Sequence, residues 1–188
     1  MKKITTIIFA IACVVAAQAQ TWTLDKGHSK LGFGITHLLI SEVQGSFKTF
    51  DVKVTATKDD LSDAVFEVTA DVATISTDLE MRDKDLRSAN FFDVEKFPTL
   101  TFKSTSFKKV DGKKYVMVGD LTMKGVTKSL TFDVMLNGPI EHPRSKKLLA
   151  GLKLSGTFKR SDFGVGSTPH PTAGDEVTLI ANGEIVKQ

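Results

Sequence analysis

The strongest constraint in this sequence is an alternation of apolar and polar residues with period two, carried along almost its whole length. Leu31, Phe33 and Ile35 share one face, while Gly32, Gly34 and Thr36 share the other. The pattern returns in Val43, Gly45 and Phe47, in Val52, Val54 and Ala56, and in Phe66, Val68, Ala70 and Val72. It resumes with Leu100, Phe102 and Phe107, then through 115–123, 130–136, 152–158 and 177–185. Successive side chains of a strand point to opposite faces, so each stretch reads as a strand buried on one side and wet on the other. Trp22 and Leu24 form a first short strand, with Asp25-Lys26-Gly27 as the turn behind it. Further turns are expected at Lys58-Asp59-Asp60, Asp111-Gly112 and Lys124-Gly125, and Asn137–Lys147 reads as a mobile basic loop.

One stretch breaks the alternation. From Thr77 to Pro98 the spacing becomes helical, with Leu79, Arg82/Asp83 and Leu86 on successive turns. Thr77, with Glu80 three residues on, predicts a capping box, and Asp83 with Arg87 an i,i+4 ion pair. The helix should fail near Asn90, where Phe91-Phe92 need an apolar place to go and Pro98 bars continuation. A short charged helix that ends in an aromatic anchor, inside a chain of strands, reads as a lid.

Eight to ten antiparallel strands joined by short turns, with one helix to cover them, are satisfied by closing the sheet on itself. Closure leaves no edge strand, and eight strands leave room for their own side chains or for one small ligand. The expected class is all-β: an antiparallel barrel of about eight strands with one short lid helix. No repeat or linker divides residues 20–188, which are expected to form a single domain.

Residues 1–19 have the parts of an export signal. Lys2 and Lys3 precede an apolar run from Ile4 to Val15, and Ala17-Gln18-Ala19 is a small-x-small cleavage site. The run is too short to span a bilayer, and no later stretch approaches that length, so stable membrane insertion is not expected. Ala10-Ile11-Ala12 is a poor lipobox for Cys13. Cleavage would place the mature chain in the periplasm or outside the cell, remove the only cysteine, and lower the formal charge from +3 to +1. So balanced a charge gives no footing for nucleic acid. The aromatic content is lopsided, with 13 Phe against one Trp and one Tyr. Phe has no polar handle and suits a dry interior.

Patterns for catalysis or metal binding are weak. Asp25, His28 and Ser29 have the residue types of a hydrolytic triad, but triads assemble in space, and no G-x-S-x-G turn accompanies them. His28, His37, His142 and His170 lack the spacing of a metal set. His28 and His37, nine residues apart, would face opposite sides of a regular strand. No catalytic residue and no metal ligand is assigned. Arg82, Lys84 and Arg87 on the helix can meet an anionic head group, since guanidinium matches phosphate and carboxylate. A solvated face paired with Asp83 and Asp85 is the plainer reading.

A set of ordered motifs remains. Asp25-x-x-His28-Ser29 is followed by His37 and by Gly45-x-Phe47. Then come R-D-x-x-L-R-S-x-x-F-F-D over Arg82–Asp93, Phe97-Pro98 and Phe102-x-Ser104. G-x-L-x-x-x-G-V-T-K over Gly119–Lys128 and R-x-D-F-G over Arg160–Gly164 complete the set. In this order they resemble the YceI family of exported bacterial proteins, over essentially all of the mature chain. The resemblance implies a lipocalin-like antiparallel barrel with an elongated apolar pore that holds polyisoprenoid or other long-chain amphiphiles, and it implies no catalytic residues. The chain departs from the family at Asp85, where His is common, and in the basic Asn137–Lys147 loop. Both are expected at the pocket entrance.

Burying a methylene contributes ~0.8 kcal/mol, whereas association costs ~4–15 kcal/mol. Eight carbons yield about 6 kcal/mol, barely above the lower figure, so a Phe-lined barrel favours long tails. The expected ligand is a polyisoprenoid, quinone or fatty acyl lipid, with no other cofactor. Its tail would follow Phe33, Ile35, Phe47, Phe66, Phe102, Leu121, Phe132 and Phe158, and Arg82 and Arg87 would meet its head group. Two other readings stay open: a redox or stress-response accessory presenting a quinone, and a solid-cored interaction protein whose own phenylalanines fill the barrel. A homodimer also stays open.

Overall fold

The computed structural model describes residues 18–166 and 172–188. Most of the expected export signal, and His170, lie outside the described residues. In chain order the strands are β1 (Gln20–His37), β2 (Ser41–Phe47), β3 (Phe50–Ala56), β4 (Val65–Asp71) and β5 (Ile75–Ser76). The helix α1 (Glu80–Arg87) follows, then β6 (Thr99–Asp111), β7 (Lys114–Met123), β8 (Val126–Glu141), β9 (Leu148–Lys159) and β10 (Ala173–Lys187).

All pairings are antiparallel, and β10 returns to β1 to close the sheet. β2 and β3 are segments of one broken strand: β2 pairs with Leu31–His37 of β1, and β3 with Gln20–Thr23. β4 and β5 are likewise separated by the 3₁₀ turn Val72–Thr74 and pair with β3 and β2 in turn. Counted this way, the described residues form an up-and-down barrel of eight strands with one α-helix, as the alternation required. Among the described residues, no helix is long and apolar enough to cross a membrane.

The connections sort to two ends. The β1–β2 hairpin, the α1 segment, the β7–β8 turn and residues 160–166 share the lid end. The opposite end is solid. Trp22, Val54, Leu61, Ala150 and Ile185 are buried to 1% exposure or less, and Phe107 stacks on Tyr115 with ring centroids 4.4 Å apart.

Two bulges correct the simple alternation. Asp25-Lys26-Gly27 does not end a first strand; β1 runs through it, and Lys26–Ser29 bulge out opposite Gly183 of β10. The Ser29 hydroxyl pins the bulge, donating to the Asp25 carbonyl at 2.6 Å and accepting from the Glu184 N–H at 3.2 Å. Gly183 is needed here, because a Cβ would sit 2.6 Å from Ser29 Oγ. On β6, Phe102 and Phe107 are an odd number of residues apart, yet both are buried. A register shift between Ser104 and Ser106 turns Phe107 back inward.

The stretch Asn137–Lys147 is not a long loop, nor is it at the entrance. β8 continues to Glu141 and β9 begins at Leu148. The remaining turn is tightened by His142 Nδ1, which accepts from the Arg144 and Ser145 N–H groups. It sits at the solid end.

Candidate ligand-binding cavity

Toward the lid end the inward side chains do not meet across the barrel. They leave a cavity of about 410 Å³. Phe33, Ile35, Phe47, Phe66, Phe102, Leu121, Phe132 and Phe158, the eight apolar residues expected along the tail, all line it. Val68, Met117, Leu154, Val177 and Leu179 fill the wall between them. The barrel is thus filled at one end and hollow at the other.

Strand glycines set the shape of the wall. The ring of Phe33 lies over Gly45, its direct partner on β2; a Cβ there would be 2.3 Å from Phe33 Cζ. Gly119 on β7 gives way to Phe102 in the same manner. On propensity both glycines weaken their strands, but each marks a close approach by a ring. The rings then meet at angles. Phe102 and Phe132 are 5.6 Å apart and edge-on, and Phe33 and Phe47 are 6.0 Å apart and tilted.

The lid closes on this wall. Leu86, Phe91 and Phe92 line the cavity from above, and Phe92 meets Phe47 edge-on at 6.2 Å. α1 begins at Glu80, behind Leu79, which makes no side-chain cap, so the expected capping box does not form. Instead Asp83, 4% exposed, reaches back to Thr77. Its Oδ1 accepts from the Thr77 N–H at 2.8 Å and from the Thr77 hydroxyl at 2.5 Å. Arg82 donates from Nε to Thr77 Oγ1 at 2.6 Å and from Nη2 to the Thr77 carbonyl at 2.8 Å. A guanidinium only donates and a carboxylate only accepts, so the chain runs one way, from Arg82 through Thr77 to Asp83.

The two arginines assigned to the head group separate. Arg82 lines the cavity; Arg87 does not, and its Nη2 lies 2.5 Å from Glu80 Oε1 rather than on Asp83. Asp85 lines the mouth as expected, beside Thr36, His37 and Thr172. Arg160 also lines the cavity at 5% exposure. It donates to the carbonyls of Val165 and Gly174 at 2.8 and 2.9 Å, strapping the end of β9 to the start of β10. The only sequence signal for it is its place in the R-x-D-F-G motif. A second polar spot, made of Ser29, Lys30 and Asn182, lies beside the β1 bulge.

Of the histidines considered as metal ligands, His28 stands with Asp25 and Glu184 on the outside of that bulge, their ligand atoms within 4.8 Å of one another. His28 Nδ1 is 3.1 Å from Asp25 Oδ2 and 3.9 Å from Glu184 Oε2. This hydrogen bond holds the Asp25 carboxyl below its ordinary pKa and raises that of His28. His37 lies at the cavity mouth and His142 in the β8–β9 turn.

Comparison with known proteins agrees with this architecture. Residues 22–185 match the YceI-like domain. The UPF0312 protein of Staphylococcus aureus strain MSSA476 is 40% identical over 146 residues, which is 77% of this chain and 81% of that protein. A Campylobacter jejuni YceI protein superposes with a TM-score of 0.73 at 33% identity, over 88% of this chain and 97% of its own. Two more distant structures share the fold. Burkholderia cenocepacia BcnA has a TM-score of 0.77 at 23% identity, covering 86% and 98% of the two chains. A polyisoprenoid-binding domain from Saccharophagus degradans has 0.64 at 12%, covering 89% and 98%. Matched along nearly the whole barrel and by a relative of 40% identity, this chain belongs to the YceI family.

Proposed function

We propose that this protein is an exported lipid-binding protein that holds a long-chain isoprenoid or similar amphiphile, as a carrier or store. The observation that carries the reading is the cavity itself, about 410 Å³ walled by phenylalanine and aliphatic side chains. Each methylene buried against that wall contributes ~0.8 kcal/mol, so a tail longer than about eight carbons is needed to rise clear of the ~4–15 kcal/mol that association costs. The Saccharophagus degradans domain, a polyisoprenoid-binding one, shares this fold, which supports the ligand class. Arg82, at the mouth, is the residue for an anionic head group. Residues 1–19 would direct export, so the carrier would work in the periplasm or outside the cell.

Native mass spectrometry of the mature chain purified without detergent, with lipid extraction of the same sample, tests this. Extra mass that extracts as an isoprenoid, quinone or fatty acyl species is expected, and its chemistry identifies the ligand class. A bare mass, unchanged after incubation with polyprenyl phosphates, quinones and fatty amides, would remove the lipid reading.

A further inference from the structure

We infer that the β1–β2 hairpin tip, Leu38-Leu39-Ile40, docks the lid end onto the surface of a neutral lipid bilayer, so that a ligand passes between membrane and cavity without crossing water. The inference rests on the lipid-binding reading above.

The tip breaks two rules at once. Ile40 N–H donates to the His37 carbonyl at 3.1 Å, closing a two-residue turn. Its central residues, Leu38 and Leu39, have φ of 51° and 61°. Two successive positive φ values are the type I′ geometry, which favours Asn-Gly and is sterically poor for a branched apolar side chain. The same residues are also the wrong choice for water, with Leu39 88% and Ile40 84% exposed. Rules of conformation and solvation that fail together, at one spot, point to a surface selected for contact.

Position supplies the partner. The tip directly continues the cavity wall: Ile35, Thr36 and His37 line the cavity, and Leu38 N–H donates to the carbonyl of Thr172 at its mouth. At the same end, the start of the lid exposes Met81 and half of Leu79. A stable protein interface takes about 20–30 residues a side, whereas this is a narrow convex tip. The exposed charges on β2 and on the lid, Glu42, Asp78, Glu80 and Asp85 against Lys84, do not favour anionic lipid. A few apolar side chains entering the head-group region of an uncharged bilayer, ~5–10 Å deep, fit the shape.

Flotation of the mature protein with phosphatidylcholine vesicles tests this against a variant carrying Leu38→Asn, Leu39→Gly and Ile40→Thr. The new turn suits its backbone, so unfolding temperature should hold or rise. The wild type should float, the variant should partition at least tenfold less, and transfer of a fluorescent long-chain lipid between vesicles should slow at least tenfold at equal cavity occupancy. A wild type that carries extractable lipid but does not float, or a variant with unchanged flotation and transfer, overturns docking and leaves the carrier reading standing. Tip-dependent flotation without any bound lipid supports docking and removes the carrier. Conversion of a dimer to a monomer by the variant, with flotation unchanged, assigns the tip to a second copy and overturns the inference.

Discussion

Removing the Asp83 carboxylate should loosen the lid without touching the cavity wall. Asp83 is buried and accepts both the N–H and the hydroxyl of Thr77. Hydrogen bonds to a charged acceptor contribute about 1.5–3 kcal/mol each. Both donors belong to one residue, and the Thr77 oxygen keeps its Arg82 donor, so the two contributions are coupled rather than additive. Asp83→Ala should therefore cost about 2–4 kcal/mol, and Asp83→Asn roughly half as much because an amide oxygen still accepts. The loss should be local. At ~1.4 kcal/mol per factor of ten, 2 kcal/mol shifts lid opening about 30-fold. Hydrogen exchange of the amides from Thr77 to Phe92 should quicken by that factor while those of β7 and β8 do not change. Release of a bound lipid should quicken in parallel. Unchanged lid exchange in Asp83→Ala, or equal quickening around the whole barrel, would refute the view that Arg82, Thr77 and Asp83 hold the lid shut. Thr77→Val supplies an internal check: its coupling to Asp83→Ala in a double-mutant cycle should exceed about 0.5 kcal/mol.

Three further outcomes are expected. Phe102→Glu puts a carboxylate on the apolar wall, and the folded variant should lose lipid by extraction; normal retention would remove Phe102 from the binding surface. Gly119→Ala sets a Cβ 2.3 Å from Phe102 Cζ and 2.6 Å from the Lys103 carbonyl, where the backbone must also give. It should cost about 1–3 kcal/mol in denaturant unfolding, and a neutral result would show that the ring moves freely. The Asp25–His28 pair should stabilise the fold within a pH window. The contribution of His28, whose pKa is raised, is full below its ordinary 6.5 and fades as pH rises through the raised value. That of Asp25, whose pKa is lowered, is full above its ordinary 3.8 and fades as pH falls through the lowered value. The melting-temperature difference between wild type and His28→Gln should thus peak between pH 3.8 and 6.5, and a difference flat across pH would contradict the pairing.

What could be read from the chain, and what could not, divides by the distance over which each feature is decided. Alternation is local, so strand faces, the inward phenylalanines and closure of the barrel were legible. The β1 bulge was not. Asp25-Lys26-Gly27 carries a local turn signal, and the group that converts it to a bulge, the Glu184 N–H, is 155 residues from Ser29. The lid shows the same conflict at shorter range. Thr77 and Glu80 satisfy the rule for a capping box, yet Arg82 and Asp83 both bond Thr77, which a linear pattern cannot rank against the box. Whether the barrel was hollow depended on registers such as Phe33 over Gly45, which place rings on glycine and leave the centre open. The hairpin tip was hidden for a different reason. Leu38-Leu39 gives no turn signal because its residues oppose the turn they occupy. Local rules therefore failed where another part of the chain overrode them, except at the tip. There the Leu38 N–H does bond the Thr172 carbonyl, but a backbone bond is open to any residue and does not select leucine. The exposure of the tip, with Leu39 at 88%, is what the proposed membrane contact would account for.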